Sequence, residues 1–554
     1  MSMDFKQYKD KLLFVPLGGS NEIGMNLNLY HYEGKWIMID CGIGFADDYL
    51  PGVDIIMPNI DFIAEIKDSL LALILTHAHE DHLGSVGYLW EDIGCPIYAT
   101  PFTAAVLKPK LKEEGLVHKI KIHEVKQNKN IALGPFELEM VALTHSIPEM
   151  HAIAIRTKAG TVMHTGDWKM DKTPMVGEVS DADTLKRYGD EGILAMVCDS
   201  TNVMVEGESG SEGHVRGHLK DVIAGCEKRV VVTTFASNIA RLESIIYAGL
   251  EAGRSIALAG RSLWRITDAA KQCGYLQDIP PFLNDRDFMG LPKENVLLIC
   301  TGCQGESRAA LTKIARDEHP AIRLAPGDTV IFSSRVIPGN ETKINWLQNK
   351  LVEQGLDIIG DKDALIHVSG HPCREELRWM YQLVRPHISV PVHGEHRHIH
   401  EHANFAREMQ VPKQVEAYNG AVIQLDKNDA SVVGHVPSGY LAMDGTSLID
   451  SNSPVMSTRR KIRDDGTLVV SIVIDKKGKV ASAPQIAGLG LLDPKEDQEL
   501  INTLSDAVKE ETETLMKAGR NKGFDDRIRS VLRKIIREEL GKKPVLAVHL
   551  HELA

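Results

Sequence analysis

From Leu12 to Asp199 the chain alternates short apolar runs with polar, glycine-bearing turns. Leu12–Leu17, Trp36–Asp40, Leu70–Thr76, Phe136–Ala142, Ala152–Arg156, Thr161–Thr165 and Ile193–Asp199 each read as a strand, with helical stretches such as Gly84–Asp92 between them. That alternation predicts an α/β unit. A second series follows. Arg229–Phe235, Ser255–Gly260, Val296–Thr301 and Thr329–Ser333 are strand-like, and Asn238–Gly253 is a helix ending at glycine. Leu365–Ser369 and His387–Val392 resume strands that lead into histidine-bearing loops. Around Val436–Asp464 the pattern turns polar and basic, as a linker would. Beyond it, Thr467–Asp475, Lys479–Ile486 and Val545–Leu550 predict three strands, and Asp497–Lys517 predicts a helix. A further helix carries Ile528, Val531, Leu532, Ile535, Ile536 and Leu540 in one stripe.

Length and composition sharpen this outline. At 554 residues, 43% hydrophobic and 25% charged, the chain has material for about three folding units and is not disordered as a whole. No long apolar run is present, and the first residues are charged, so neither a membrane span nor a secretory signal is expected. Eight scattered cysteines suggest reduced thiols in a cytoplasmic protein, with Cys300-Thr-Gly-Cys303 read as structural. A net charge of −13 argues against indiscriminate coating of nucleic acid, although Lys228, Arg229, Arg241, Arg254, Arg261 and Arg265 form a locally basic stretch.

The 23 histidines matter more than the charge because they cluster. Leu70–Thr76 delivers Thr76-His77-Ala78-His79-Glu80-Asp81-His82, with four potential ligands immediately after a strand. Imidazoles and a carboxylate at that spacing suit Zn²⁺, Mn²⁺ or a similar ion. His145, Asp167 and His393 each follow a strand as well, which puts one ligand per strand end on a single sheet edge. The histidines at 396, 398, 400 and 402 fit supporting contacts and a solvated helix face better than a further metal site.

Together, His77 to His82, His145, Asp167 and His393 resemble the two-metal site of the metallo-β-lactamase superfamily. The resemblance implies that His77, His79 and His145 hold one ion, that Asp81, His82 and His393 hold the other, and that Asp167 bridges them. The long stretch between Asp167 and His393, with Asp199 in Cys198-Asp199-Ser200-Thr201 and His371 in Ser369-Gly370-His371, is similar to the nucleic-acid-processing branch called β-CASP. Within that branch the chain resembles the bacterial ribonuclease J family. It shares Pro16-Leu17-Gly18-Gly19-Ser20-Asn21-Glu22-Ile23-Gly24-Met25-Asn26, Thr234–Asn238, Gly302–Glu306, Ile337–Glu341 and His393-Gly394-Glu395. Pro372-Cys373 and Cys303 depart from the expected pattern.

The implied fold is an αββα metallo-β-lactamase sandwich, in two parts (residues 1–208 and 366–450), around an inserted β-CASP α/β domain (209–365). A linker (451–464) and a small α+β C-terminal dimerisation domain (465–554) follow. The implied activity is hydrolysis of single-stranded RNA by hydroxide attack at a centre of two divalent ions, Zn²⁺ with Mn²⁺ or Mg²⁺ as alternatives. It proceeds 5′→3′ from monophosphate ends, with internal cleavage and 5′-phosphate products, in RNA processing and decay. Asp81, Asp199 and His371 are the expected catalytic residues beside the ligands, His371 as general acid. Ala236, Ser237, Asn238, His367, Val368, Ser369, Gly370 and His371 are expected to contact RNA, with a helix cap as the plainer reading of Ser237 and Asn238. A homodimer or tetramer through the tail is implied, and protein partners in RNA decay or at the ribosome are not readable. A DNA-processing β-CASP nuclease, a small-molecule metallohydrolase and a non-catalytic RNA-binding scaffold are the competing readings.

Overall fold

The computed structural model describes residues 3–519 and 523–553, which fall into two compact units. The larger comprises residues up to 44 and 57–439; the smaller comprises 45–56 and the chain from 440 onward.

In the larger unit, the apolar runs of the N-terminal half build two sheets. One has eight strands, with Leu13–Gly18, Leu27–Tyr32, Lys35–Ile39 and Leu70–Ile74 at its centre. The other has seven, among them Phe136–Ala142, His151–Thr157, Gly160–His164, Ala195–Asp199 and Ile388–Val392. They share one core, in which Phe14, Tyr30, Ile39 and Ile74 from the first meet Phe136, Ile153, Val197 and Val390 from the second. Helices Ala182–Glu191, Arg374–Val384 and His396–Glu408 cover the outer face of the second sheet through Leu185, Leu377, Val384 and Phe405. Near-continuous burial along Ala195–Asp199 and Ile388–Val392 explains why those strands read as apolar runs and not as an alternation.

Between the halves of the sandwich lies a five-stranded sheet in which every neighbour is parallel. Its order is Ser255–Ala259, Val296–Cys300, Val230–Thr233, Thr329–Phe332, Asp357–Ile359. Its core includes Val231, Leu298 and Val330 against Ile314, Leu347 and Leu351.

The expected strand Leu365–Ser369 does not form. The Ile366 carbonyl accepts from Arg241 Nη1 (3.0 Å) and Ser333 Oγ (2.7 Å), so side chains take the place a ladder would have filled.

In the smaller unit, the expected linker at 451–464 is mostly helix, Pro454–Asp465. Ser453 caps its start by accepting from the Met456 N–H, Pro454 suits the first turn, and Gly466 ends it. A bidentate Arg459–Asp444 pair ties that helix to the hairpin Tyr440–Asp444/Ser447–Asp450. Beyond it, Thr467–Ile474 is the central strand of three, antiparallel to Gln485–Leu489 and parallel to Val545–Glu552. The strand expected at Lys479–Ile486 starts later because Pro484 has no N–H to give a ladder. Strand residues Leu468, Val470 and Ile472 pack on Leu504 and Val508 of helix Gln498–Lys517 and on Ile528, Leu532 and Ile536 of helix Phe524–Leu540. Among the described residues no helix is long and apolar enough to cross a membrane.

Candidate metal centre

Strands Gly160–His164, Ala195–Asp199 and Ile388–Val392 are parallel neighbours, so their carboxyl ends emerge on one edge of their sheet. Asp167, Asp199 and His393 stand at those three ends. His145 follows Phe136–Ala142, and His77, His79, Asp81 and His82 follow Leu70–Ile74 of the facing sheet. Each side chain is thus placed by a strand locked into the core. His393 sits at φ 52°, a left-handed backbone that a non-glycine residue adopts only where its surroundings impose it.

All seven expected metal ligands converge. His77, His79, His145 and Asp167 offer donor atoms within 4.8 Å of one another, and so do Asp81, His82, Asp167 and His393. Asp167 is common to both sets. Three imidazoles are held by their outer nitrogens: His77 Nδ1 by Thr76 Oγ1 (3.0 Å), His145 Nδ1 by the Gly370 carbonyl (2.6 Å) and His82 Nδ1 by Asp40 Oδ2 (2.7 Å). The Nε2 atoms of His77 and His145 are left for the cluster, and that of His82 faces Asp167 and Asn26 Nδ2 (each 3.1 Å); holding the outer nitrogen is how proteins fix a ligand's tautomer. His77 Nε2 and His145 Nε2 lie 3.0 and 3.1 Å from the same His79 Nδ1. Asp167 is 2% exposed, and its Oδ1 has no hydrogen-bond partner among the described residues. Inward imidazole lone pairs, two flanking carboxylates and an unsatisfied buried oxygen fit divalent cations.

At His77, His79 and His145 the electrostatics agree with that chemistry, whereas at His82 and His393 burial is outweighed by Asp167 and its neighbouring carboxylates, which raise both rings well above the ordinary histidine range. Burial, reinforced by neighbouring imidazoles, holds His77 and His145 well below the ordinary histidine range. Burial also lowers His79, to about 4. All three are neutral, the form that ligates. Burial opposes ionisation of Asp81 and Asp167, but the surrounding histidines outweigh it and hold both carboxyls below their usual range.

His371 stands beside this group. Its Nδ1 lies 2.8 Å from Asp199 Oδ2, and its side chain keeps 23% exposure. Asp199 is oriented in turn by Thr201, whose N–H and hydroxyl both donate to Oδ1 (2.8 and 2.7 Å). Gly370 admits no side chain: a Cβ there would lie 2.7 Å from His145 Cε1. Ser369 Oγ accepts from Asn202 Nδ2 (2.8 Å) and from the His371 N–H (3.1 Å).

The residues expected to touch nucleic acid are less uniform. Asn238 is a helix cap, its Oδ1 accepting from the Arg241 N–H at 2.8 Å. Ser237 precedes it, and Ala236 lies in the same turn. The start of that helix lies beside the cluster: the Ala240 N–H donates to the Ser146 carbonyl, and Ser146 Oγ is 3.4 Å from His79 Nε2. His367 Nδ1 meets Arg241 Nη1 at 3.3 Å, and Val368 is half-buried.

Comparison with known proteins decides the family. Residues 26–174 match the model described as metallo-beta-lactamase superfamily, 227–351 that of the ribonuclease J beta-CASP domain, 355–417 that of the Zn-dependent metallo-hydrolase RNA specificity domain, and 454–553 that of the ribonuclease J C-terminal domain. The chain is 43% identical over 548 residues to ribonuclease J of Sinorhizobium meliloti, covering 98% of this chain and 97% of that protein. Ribonuclease J 1 of Streptococcus pyogenes serotype M3 is 35% identical, with 96% of each chain covered. The chain belongs to the ribonuclease J family. It is accordingly a metal-dependent hydrolase of that class, a metallo-β-lactamase sandwich with a β-CASP insertion and the family's C-terminal domain. A solved structure of a protein of unknown function from Enterococcus faecalis V583 shares the fold, with a TM-score of 0.53 at 16% identity over 75% of this chain and 100% of that one.

Two departures from the family's pattern have structural explanations. Cys373 caps helix Arg374–Val384 in a reciprocal box with Glu376, whose Oε2 accepts from the Cys373 N–H at 2.8 Å. Cys303 is buried beside Gln304, which joins two of the motifs by donating to the Arg335 carbonyl (2.8 Å) and accepting from the Ile337 N–H (2.9 Å).

Asp40 is the residue that reading the sequence missed. It is fully buried, at φ 63°, directly after strand Lys35–Ile39. Its Oδ1 accepts from the Thr76 N–H and its Oδ2 from the Thr76 hydroxyl, both at 2.8 Å, besides holding His82. The strand-end position that marked Asp167 and His393 marked Asp40 as well. Asp40→Asn, which keeps the shape and the tolerance for that backbone, should weaken metal binding about 10–100-fold with little change in thermal stability. Metal content after dialysis against a graded chelator series measures this, and wild-type retention would refute it.

Proposed function

We propose that the protein is a 5′→3′ exoribonuclease that prefers 5′-monophosphorylated single-stranded RNA and also cleaves internally, leaving 5′-phosphate products. The observation that carries the reading is the convergence of seven donors at the joined edges of two sheets, with the His371–Asp199 pair directly against them. The match of residues 355–417 to an RNA specificity domain favours RNA over DNA.

In this reading His77, His79 and His145 hold one ion, Asp81, His82 and His393 hold the other, and Asp167 serves both. Bound there, two divalent ions, Zn²⁺ on the N/O donor set with Mn²⁺ or Mg²⁺ as alternatives, would make water nucleophilic and neutralise the phosphodiester's charge. The rest falls to the chain. Asp199 fixes the His371 ring through Nδ1, so that Nε2 presents a proton to the departing 3′-oxygen. Burial disfavours that proton, but Asp199 and Asp167 outweigh the effect and hold His371 above the usual histidine range, which suits an acid. Ser369 and the loop 367–371, with the turn at Ala236–Asn238, offer hydroxyl and N–H donors for backbone phosphates.

Eight unpaired thiols suit a cytoplasmic protein engaged in RNA processing and decay. We further propose a homodimer, or a tetramer built from dimers, formed through the C-terminal unit. In its central strand Leu468, Val470, Ile472 and Ile474 face the helices, leaving Val469 and Val473 half-buried on the opposite face.

Two outcomes test these assignments. RNAs differing only at the 5′ end should be degraded fastest as monophosphates, more slowly as triphosphates or hydroxyls. Ser369→Ala should reduce that preference more than it slows internal cleavage; equal rates for all three ends would leave only a general endonuclease. Separately, light scattering should report about two or four times the 61.2 kDa chain mass for the full protein and a monomer once the chain is cut near residue 455. A truncated dimer would place the interface elsewhere.

A further inference from the structure

Arg241 lies near the start of helix Ile239–Glu251, in the inserted domain, and is fully buried. Its Nε and Nη2 donate to the two oxygens of Glu212, at 2.7 and 3.0 Å, so one buried carboxylate takes up the charge. The remaining nitrogen is spent on two segments. Nη1, with two hydrogens to share, lies 2.9 Å from Ser333 Oγ and 3.1 Å from the Ser333 carbonyl, at the end of strand Thr329–Phe332. The same two hydrogens are shared with the Ile366 carbonyl (3.0 Å), and His367 Nδ1 is the most distant of the four neighbours (3.3 Å).

That last contact fixes more than a position. A guanidinium has five N–H donors, no acceptor, and does not lose its proton in a protein. A lone pair on the imidazole nitrogen facing it is therefore the favourable arrangement, with the ring's proton on Nε2. A doubly protonated ring would set N–H against N–H. Burial, with Arg241, Arg335 and Lys169 nearby, independently drives His367 well below the ordinary histidine range. The segment Arg241 grips continues straight into the centre: Asn202 holds Ser369, the Gly370 carbonyl holds His145, and His371 pairs with Asp199.

We propose that Arg241 is a positioning residue that holds His367 as a neutral donor, its Nε2–H directed to an RNA phosphate oxygen, at a set distance along the chain from His371. This rests on the reading that residues 367–371 contact RNA. It replaces a titrating cation in that loop with a fixed neutral donor, so His367 grips by directed hydrogen bonding and not by charge.

Isosteric amides separate the two ring nitrogens. A glutamine amide can stand in for Nε2–H, whereas an asparagine oxygen can stand only for Nδ1. In the full metal-loaded chain acting on a 5′-monophosphorylated oligoribonucleotide, His367→Gln should raise KM about threefold and His367→Asn about thirtyfold, since a lost donor to a charged oxygen accounts for a factor of that order. kcat should fall far less than KM rises in both. Arg241→Lys, which keeps a charge for Glu212 but cannot also serve the loop, should narrow the gap between the two amides at unchanged metal content. Should that variant not fold, the His367 pair still decides. Equal KM values for the two amides, or a better asparagine enzyme, would overturn the assignment. A wild-type chain inert on RNA would instead overturn the function it rests on.

Discussion

Everything near the centre depends on holding carboxylates where water is excluded. Asp40, Asp167 and Asp199 are 0, 2 and 1% exposed, and a buried carboxylate without compensation costs several kcal/mol. The fold answers by placing each at the end of a strand locked in the core and surrounding it with imidazoles and N–H donors. Asp40 is satisfied by Thr76 and His82, and Asp199 by Thr201 and His371. Asp167 is not fully satisfied, since Oδ1 has no hydrogen-bond partner among the described residues. The residue common to both donor sets thus keeps an unsatisfied buried oxygen, which fits a cation.

The inserted domain is joined to that edge by charge as well as by packing. Buried Lys169, two residues past Asp167, pairs with Asp171 at 3.2 Å and donates to the Gly210 carbonyl. Asp171 accepts from Ser211 Oγ and the Glu212 N–H, and Glu212 in turn holds Arg241. Removing one member of such a chain leaves its neighbour buried and unpaired, so the geometry is far more constrained than apolar contact alone would make it. Substitutions well inside the insert therefore have a physical route to the loop carrying His371.

How much was legible in the sequence follows from what each residue answers to. Strands buried on both faces announce themselves as apolar runs, and Phe136–Ala142 forms with the bounds expected from its residues. The seven donors were legible because four of them cluster in Thr76–His82 and the other three each follow a strand, a set that resembles a known two-metal site although none of the three would stand alone. Failures came where a side chain replaced the backbone as partner. Leu365–Ser369 looks like a strand, but Arg241 and Ser333 take its carbonyl. Residues 451–464 look like a linker because their helix buries little beyond Met456 and is held by a cap and an ion pair. Asn238 turned out to be a cap, as its residue type alone allowed. Asp40 shares the strand-end position of Asp167 and His393, but what it does there follows from partners distant in sequence, Thr76 and His82.

The central claim is that these donors form a hydrolytic metal centre and not a structural knot of buried polar groups. Replacing Asp81 by alanine tests it most directly, with metal content, thermal unfolding and cleavage of a labelled RNA read on the same preparation. The account predicts loss of bound metal and of cleavage, with RNA binding and a folded chain retained, because the Asp81 side chain is 30% exposed and faces the histidines of the cluster, whereas His82 also holds buried Asp40. Unfolding on the scale of a large core truncation, about 2–5 kcal/mol, or cleavage that survives without the metal, would contradict it.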